Sequence, residues 1–285
     1  MRFAAAVMFI GSLAPAYGGL IVMTNAQNQL LTINSATPGT ILSTVGITGL
    51  QGGENILGID FRPATLTLYG LGSTSRLYTI NTTTGAATQV GSAGAFTISG
   101  TSFGFDFNPT VDLIRVTSNT GQNIRLNPNT GALTSTDVAI NGATTTLMGS
   151  AYTNNFATAS TTSLYGIDAN SDSLYLSSNP NGGIYGLVGP LGLDAIANLG
   201  FDIGGDGIAF AAIQTQTQAA AIGAAGLYTI NLGSGAATLV GQIGPSGQDI
   251  TGLAIVLVPE PATFGLIGLG TAGLLYFARR RARKN

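Results

Sequence analysis

The 285-residue chain has no cysteine, no histidine and no tryptophan. Without cysteine there is no disulfide framework and no thiol chemistry, so stability must come from a packed core. Without histidine or cysteine, Ser-His-Asp and Cys-His catalysis are excluded, as are the usual histidine-based zinc and iron sites. Charge is scarce as well, with Asp, Glu, Lys and Arg together making up 8% of residues. Between Tyr17 and Val258 the only cations are Arg62, Arg76, Arg115 and Arg125, against eleven acids, which leaves this stretch at a net −7. Phosphate backbones need Lys and Arg, so the body is not a nucleic-acid binder, and it is equally unsuited to anionic lipid surfaces.

What the body has in quantity is Thr, Ser, Asn and Gly interleaved with Ile, Leu and Val. Uncharged polar residues must then supply most of the wet surface, the composition of a β-rich exported protein with many tight turns. Within it a repeat is visible. Leu77 to Gly91 (LYTINTTTGAATQVG) returns as Leu227 to Gly241 (LYTINLGSGAATLVG), with weaker copies at Leu30–Asn34 and Asn123–Asn127. Leu164–Asp168 followed by Asp172 and Ser173 reads as a fifth copy. Each copy has the pattern of strand, Asn/Thr/Gly turn and strand, a hairpin.

A second element precedes the hairpins: Gly58-Ile-Asp-Phe61, Gly104-Phe-Asp-Phe107, Gly149-Ser-Ala-Tyr152, Gly200-Phe-Asp-Ile203 and Gly252-Leu-Ala-Ile255. Its glycines are spaced 46, 45, 51 and 52 residues apart, and a further apolar segment such as Thr67–Leu71 or Leu113–Val116 separates each from its hairpin. Four strands in about 45–50 residues is the period of a propeller blade. The last glycine element has no hairpin after it and the first hairpin has no such element before it. Pairing the two would seal a ring of five blades and remove its open edge. The chain is therefore expected to be all-β, a five-bladed β-propeller closed by its terminal strands. Alternating short strands also suit a β-sandwich or barrel, and that alternative stays open here.

Asp60, Asp106 and Asp202 recur at one position of the glycine element, where Ala151 and Ala254 stand in the other two units. Such acids would line a channel mouth and hold a cation, or would cap a turn or pair with a nearby cation such as Arg62 or Arg115; the second reading needs fewer assumptions, because buried carboxylates need partners and turns supply them. Arg115 and Arg125 are of the type that grips a carboxylate or acidic sugar bidentately, or they form internal salt bridges with Asp106 or Asp112. These five residues are the ligand candidates. Asp168-Ala-Asn-Ser-Asp172 has calcium-loop spacing, yet Ser173 and Asn179 stand where the loop needs glycine and glutamate, so a structural turn is expected. Calcium is accordingly the one cofactor the acids suit, and none is assigned. Tyr69, Tyr78, Tyr165, Tyr175, Tyr185 and Tyr228 would stack on sugar rings if exposed, but strand-borne tyrosine packs more often than it binds. A carboxylate-pair glycosidase remains compatible with eleven acids, though no spacing identifies a pair.

The two ends carry addresses. Met1-Arg2, the apolar run Phe3–Leu13 and Ala14-Pro15-Ala16 form a signal peptide over residues 1–18, with signal peptidase cleavage expected near Ala16. At the other end, Ala262 to Ala278 is a run of 17 uncharged residues, at the short limit for a membrane-spanning helix. Arg279, Arg280, Arg281, Arg283 and Lys284 follow it as a basic stop that stays cytoplasmic and puts the body on the far side. In front stand Val258, Pro259, Glu260 and Pro261, extended because the prolines restrict their neighbours.

Val-Pro-Glu-Pro-Ala-Thr, a short Gly/Leu-rich span and an arginine cluster, in that order, resemble the PEP-CTERM sorting signal. The resemblance implies recognition by a membrane exosortase in bacteria that make extracellular polysaccharide, with Val258 to Pro261 as the sorting motif and no catalytic role for them. The stretch from Phe105 to Gly131 (FDFNP…IRVTSNTGQNIRLNPNTG) resembles a bacterial domain family of unknown function found in exported proteins. The expected organisation is signal peptide (1–18), propeller-like repeat domain (19–258) and sorting signal with helix and basic tail (259–285). The expected role is non-enzymatic, structural or adhesive, in the exopolysaccharide or biofilm of a Gram-negative cell. It begins from an inner-membrane anchor and ends at the cell surface or in the matrix. A glycan- or calcium-binding propeller is the alternative, and a carboxylate-dependent glycoside hydrolase the third.

Overall fold

The computed structural model describes residues 19–215, 225–244 and 248–257, and the expected signal peptide and the tail from Val258 onward lie outside them. The described residues form β1 (Leu20–Asn25), β2 (Gln29–Asn34), β3 (Ile41–Gly46), β4 (Ile56–Arg62), β5 (Thr67–Gly72), β6 (Arg76–Ile80) and β7 (Ala87–Val90). They continue with β8 (Phe103–Asn108), β9 (Leu113–Ser118), β10 (Asn123–Leu126), β11 (Leu133–Thr136), β12 (Asn141–Gly142), β13 (Gly149–Tyr152) and β14 (Leu164–Asp168). The last are β15 (Ser173–Asn179), β16 (Ile184–Pro190), β17 (Ala195–Ile203), β18 (Ala209–Thr215), β19 (Gly226–Ile230), β20 (Ala237–Gln242) and β21 (Ile250–Ile255).

These strands fall into five antiparallel sheets: β21-β1-β2-β3, β4-β5-β6-β7, β8-β9-β10-β11, β13-β14-β15-β16 and β17-β18-β19-β20, the fourth extended by the two-residue parallel strand β12. They are blades one to five. The first strands β4, β8, β13, β17 and β21 pack side by side in a closed ring. Blade one is completed by the C-terminal strand, Val22 lying opposite Ala254 and Met23 opposite Leu253. The chain is a five-bladed β-propeller, closed as the unpaired terminal elements predict.

The distribution of the core decides between propeller and sandwich. A sandwich buries one layer between two sheets, whereas here five apolar clusters each sit in a seam between neighbouring blades. Ile59, Phe61 and Leu68 of blade two pack on Val22, Leu30 and Ala254 of blade one. Phe103, Phe105 and Val116 of blade three pack on Tyr69, Leu71 and Leu77 of blade two. Ile140, at the outer end of blade three, packs on Leu147, Tyr152 and Tyr185 of blade four. Ile167 and Leu174 face Phe201 and Ala211, and Phe210 and Leu227 face Ile21 and Leu31, in the two remaining seams. Every blade is thus apolar on both faces, which is why its inner strands read as near-continuous hydrophobic runs.

The repeated glycine of the inner strands is a close-approach residue. A Cβ on Gly104 would lie 2.3 Å from Ser150 Oγ and 2.6 Å from Ser150 N in the next inner strand, and one on Gly200 would lie 2.5 Å from Leu253 N. At the rim, the hairpin turn of each blade docks on the outer strand of the blade before it. Gly85, at φ +72°, ends the turn that Asn81 caps by accepting the amides of Thr83 and Thr84, and a Cβ there would lie 2.1 Å from the Gly46 carbonyl oxygen of blade one. The two glycine positions therefore set how tightly the blades close at hub and rim.

One unit departs from the repeat as read from sequence. Leu164–Asp168 is the second strand of blade four, so the turn at Asp168–Asp172 joins its second and third strands and is not the repeated hairpin turn. The equivalent turn is Asn179 to Gly183, where Asn179 Oδ1 accepts the Gly182 amide at 3.0 Å. The long loop between Tyr152 and Leu164 shifts the count by one strand, and the true hairpin turn (Asn179-Pro-Asn-Gly-Gly183) differs too far from the other copies to have corrected it.

Candidate functional site

The recurring aspartates converge at the hub. Asp60 on β4, Asp106 on β8 and Asp202 on β17 are each 1% exposed. One carboxylate oxygen from each lies within 4.8 Å of the others. Period-two alternation places each Asp on the same side of its strand as the glycine two residues before it, turned toward the neighbouring inner strand.

Their partners are main-chain amides. Asp60 Oδ2 accepts the amide of Phe107 at 2.8 Å, Asp106 Oδ1 that of Tyr152 at 3.0 Å, and Asp202 Oδ2 that of Ile255 at 2.7 Å. In each case the donor is on the inner strand of the next blade, so three of the five seams are bridged. The two blades with alanine at this position leave the next blade's amide without such an acceptor. There the following Asp turns back on its own strand, Asp60 Oδ1 accepting Phe61 N at 2.7 Å and Asp202 Oδ1 accepting Ile203 N at 2.6 Å. Five amides, one per inner strand, thus occupy five of six carboxylate oxygens. The sixth, Asp106 Oδ2, is buried and accepts nothing.

Burial raises all three carboxyls. Burial alone pushes Asp202 up to about 6, while burial first and then the neighbouring carboxylates raise Asp60 and Asp106 well above the usual carboxylate range. The amides work in the opposite direction by solvating the charged form.

The expected pairing of these acids with Arg62 or Arg115 does not occur. Arg62 Nε donates to Asp112 Oδ1 at 2.8 Å, forms an ion pair with the same carboxylate, and reaches Asn129. Arg115 does not meet Asp106 or Asp112; it lies fully buried in the seam between blades three and four. Its Nε donates to the Tyr152 hydroxyl at 2.7 Å, Nη1 to Asp137 at 3.0 Å and Nη2 to Asn181 at 2.7 Å, with Asn123 also in contact. Arg125 meets Asp137 bidentately at 2.8 and 2.9 Å. Burial would raise Asp137, but the hydrogen bonds from Arg125 and Ser135 and the charge of Arg115 hold it below its ordinary value. Tyr152 joins the two constellations, donating its amide to Asp106 and accepting Arg115 Nε at its hydroxyl. Nothing in its sequence position marks it, because both partners are long-range.

The remaining candidates are structural. Asp168 accepts the Thr144 hydroxyl and the Asn170 amide, while Asp172, at φ +49°, accepts the Ala195 amide at 2.7 Å, so the calcium-like spacing forms a turn. Tyr69, Tyr78, Tyr175 and Tyr185 are buried, and Tyr165 and Tyr228 half-buried. Tyr69 sits edge-on to Phe107 with ring centroids 5.1 Å apart, and Tyr78 donates to the buried Glu54 at 2.5 Å. Glu54 carries a buried carboxylate that sequence reading passed over. It also accepts Thr74 and stands 4.0 Å from Arg76. Burial raises it, but those hydrogen bonds outweigh burial and hold it below its usual value.

Residues 29–254 match the protein family described as "Domain of unknown function (DUF4394)", and residues 257–282 match the PEP-CTERM protein-sorting motif. The motif implies an exported chain, processed by an exosortase, with a membrane-associated sorting signal of Gram-negative bacteria. No curated protein matches the chain. Among solved structures, a protein in the nidogen/laminin complex is similar at a TM-score of 0.50 and 10% identity, covering 84% of this chain and 99% of that one. A structural genomics protein of unknown function from Bacteroides thetaiotaomicron is similar at a TM-score of 0.47 and 16% identity. That match covers 85% of this chain and 63% of the other, so this chain spans less than two thirds of its length. At such identities the likeness concerns the fold alone.

Proposed function

As a chain that belongs to the DUF4394 family and carries a PEP-CTERM motif, we propose, this protein is an exported, non-enzymatic component of the extracellular polysaccharide matrix, structural or adhesive in role. The observation that carries this reading is the state of its cations. Each of the four arginines among the described residues is engaged in an internal ion pair: Arg62 with Asp112, Arg76 with Glu54, and Arg115 and Arg125 with Asp137. The surface keeps acids such as Asp194 and Asp206, and the outer strands present Leu42, Ser43 and Thr44, Leu133 and Thr134, and Leu239 to solvent. Such a surface favours many weak contacts with neutral sugars over ionic capture of a polyanion.

The hub acids support the same reading. A glycosidase needs two carboxyl groups flanking a bond that substrate can reach, and Asp60, Asp106 and Asp202 are enclosed and bonded to main chain. The mature protein, purified from its host and mixed with that host's exopolysaccharide, tests this. Co-sedimentation that persists in high salt, with no soluble sugar fragments released, is the expected result. Release of fragments, abolished by changing two acids, would replace this reading with hydrolysis.

A further inference from the structure

The hub triad has a property that goes beyond its part in holding blades together. Three carboxylates lie within 4.8 Å of one another, away from solvent, and the arginines among the described residues are ion-paired with other acids. The ionisable groups facing them are few. On the inner strands, Arg62 is turned to Asp112 and the Tyr152 hydroxyl to Arg115, while β13 carries no other ionisable group and β21 carries none. On the second strands behind them, Tyr69 bonds the Pro128 carbonyl, Arg115 bonds Asp137, Asp168 bonds Thr144, Tyr165 is half-buried, and β1 and β18 carry none. Three full negative charges at that spacing, unpaired and buried, would be very costly.

Something must reduce the charge, and the hydrogen-bond pattern points to protons over a metal. Five of the six oxygens accept one amide each, and Asp106 Oδ2 alone has no donor. A proton on that oxygen would remove one of the three charges without displacing any amide. We propose that Asp60, Asp106 and Asp202 form a shared-proton clasp at the propeller axis, closed when the triad holds protons and loosened when it loses them.

The raised carboxyls give the direction. A group whose folded value lies above its unfolded one adds stability that is complete below about pH 4 and is lost as pH rises through the folded value. For Asp202 that window runs from about 4 to about 6. Asp60 and Asp106 are raised in the same direction and add to the same loss. The ring is therefore tighter in a mildly acidic matrix than in an alkaline one.

The test is thermal unfolding of the full chain in neutral detergent at pH 5 and pH 8, with infrared detection of protonated carboxyl groups at pH 7. A melting temperature lower by roughly 5–10 °C at pH 8 is expected, together with a buried carboxylic-acid band. Asp106→Asn keeps an acceptor for Tyr152 and replaces the lone oxygen with a permanent donor. It should flatten the pH dependence and raise the pH 8 value. The proposal is overturned by a melting temperature that does not fall between pH 5 and pH 8, or by absence of the acid band in the wild type. It is equally overturned if millimolar calcium alone restores the pH 8 value, because a cation would then be what the triad holds. If Asp106→Asn does not fold, the wild-type pH series and the infrared band decide.

Discussion

Asp202 on the fifth blade accepts the main-chain amide of Ile255, 2.7 Å away, on the strand that completes the first. This bond lies at the point where the ring is sealed, and it joins residues 53 apart in sequence. It also gives the alanines at positions 151 and 254 a physical meaning. A blade can do without its aspartate provided the blades on either side keep theirs, because one carboxylate serves two amides.

That rule ranks the aspartate-to-alanine variants. Asp202→Ala strands two amides, those of Ile203 and Ile255, since Ala151 offers neither an alternative. Asp106→Ala strands one, that of Tyr152. An unpaired buried amide costs about 1–3 kcal/mol, so Asp202→Ala should lose about twice as much as Asp106→Ala in urea unfolding. Equal losses would mean that the amides are re-satisfied by other groups.

The seam between blades three and four rests on Arg115. Arg115→Ala removes partners from Tyr152, Asp137 and Asn181 together, and breaking a buried pair of this kind costs about 3–5 kcal/mol. Arg125→Ala should cost less, about 1 kcal/mol, because its side chain is 22% exposed and Asp137 keeps Arg115. A pair of melting curves checks the order.

Gly200→Ala would force a methyl group to within 2.4 Å of Leu253 Cβ across the sealing contact. Overpacking of that kind costs about 1–3 kcal/mol, and the blades must part to accept it. Gly52→Ala, in open space on a surface loop, should change the melting temperature little and serves as the comparison.

Acid should weaken the fold for a separate reason. Asp137 and Glu54 are held below their ordinary values, so the stability they add is present above about pH 4 and is lost as pH falls through the folded values. Set against the hub triad, this predicts a stability maximum in the mildly acidic range, with losses on both sides. A melting-temperature profile from pH 2 to pH 9 would show it as a dome.

The repeat was legible because it is a matter of spacing. Gly58, Gly104, Gly149, Gly200 and Gly252 recur wherever an inner strand must approach its neighbour, and closure by β1 and β21 followed from counting what each end lacked. The recurrence of Asp60, Asp106 and Asp202 was legible too, but their partners were not. The sequence offered them turns to cap or arginines to pair with, whereas the structure gives them main-chain amides of the next blade, which every residue type but proline carries. Arg115 likewise met Asp137, a residue that its own strand order brings round through β10 and β11, in place of the nearer Asp112. The misplaced fifth hairpin at Asp168 came from the one unit whose first two strands are joined by a long loop.

The most direct measurement is the intact mass and location of the mature protein in its host, with and without Pro259, Glu260 and Pro261 changed to alanine. The account predicts that the wild type leaves the inner membrane without Arg279 to Lys284, and that the variant stays in the inner membrane with its basic tail. Retention of that tail in both would contradict sorting, and would leave a membrane-anchored propeller in place of a matrix component.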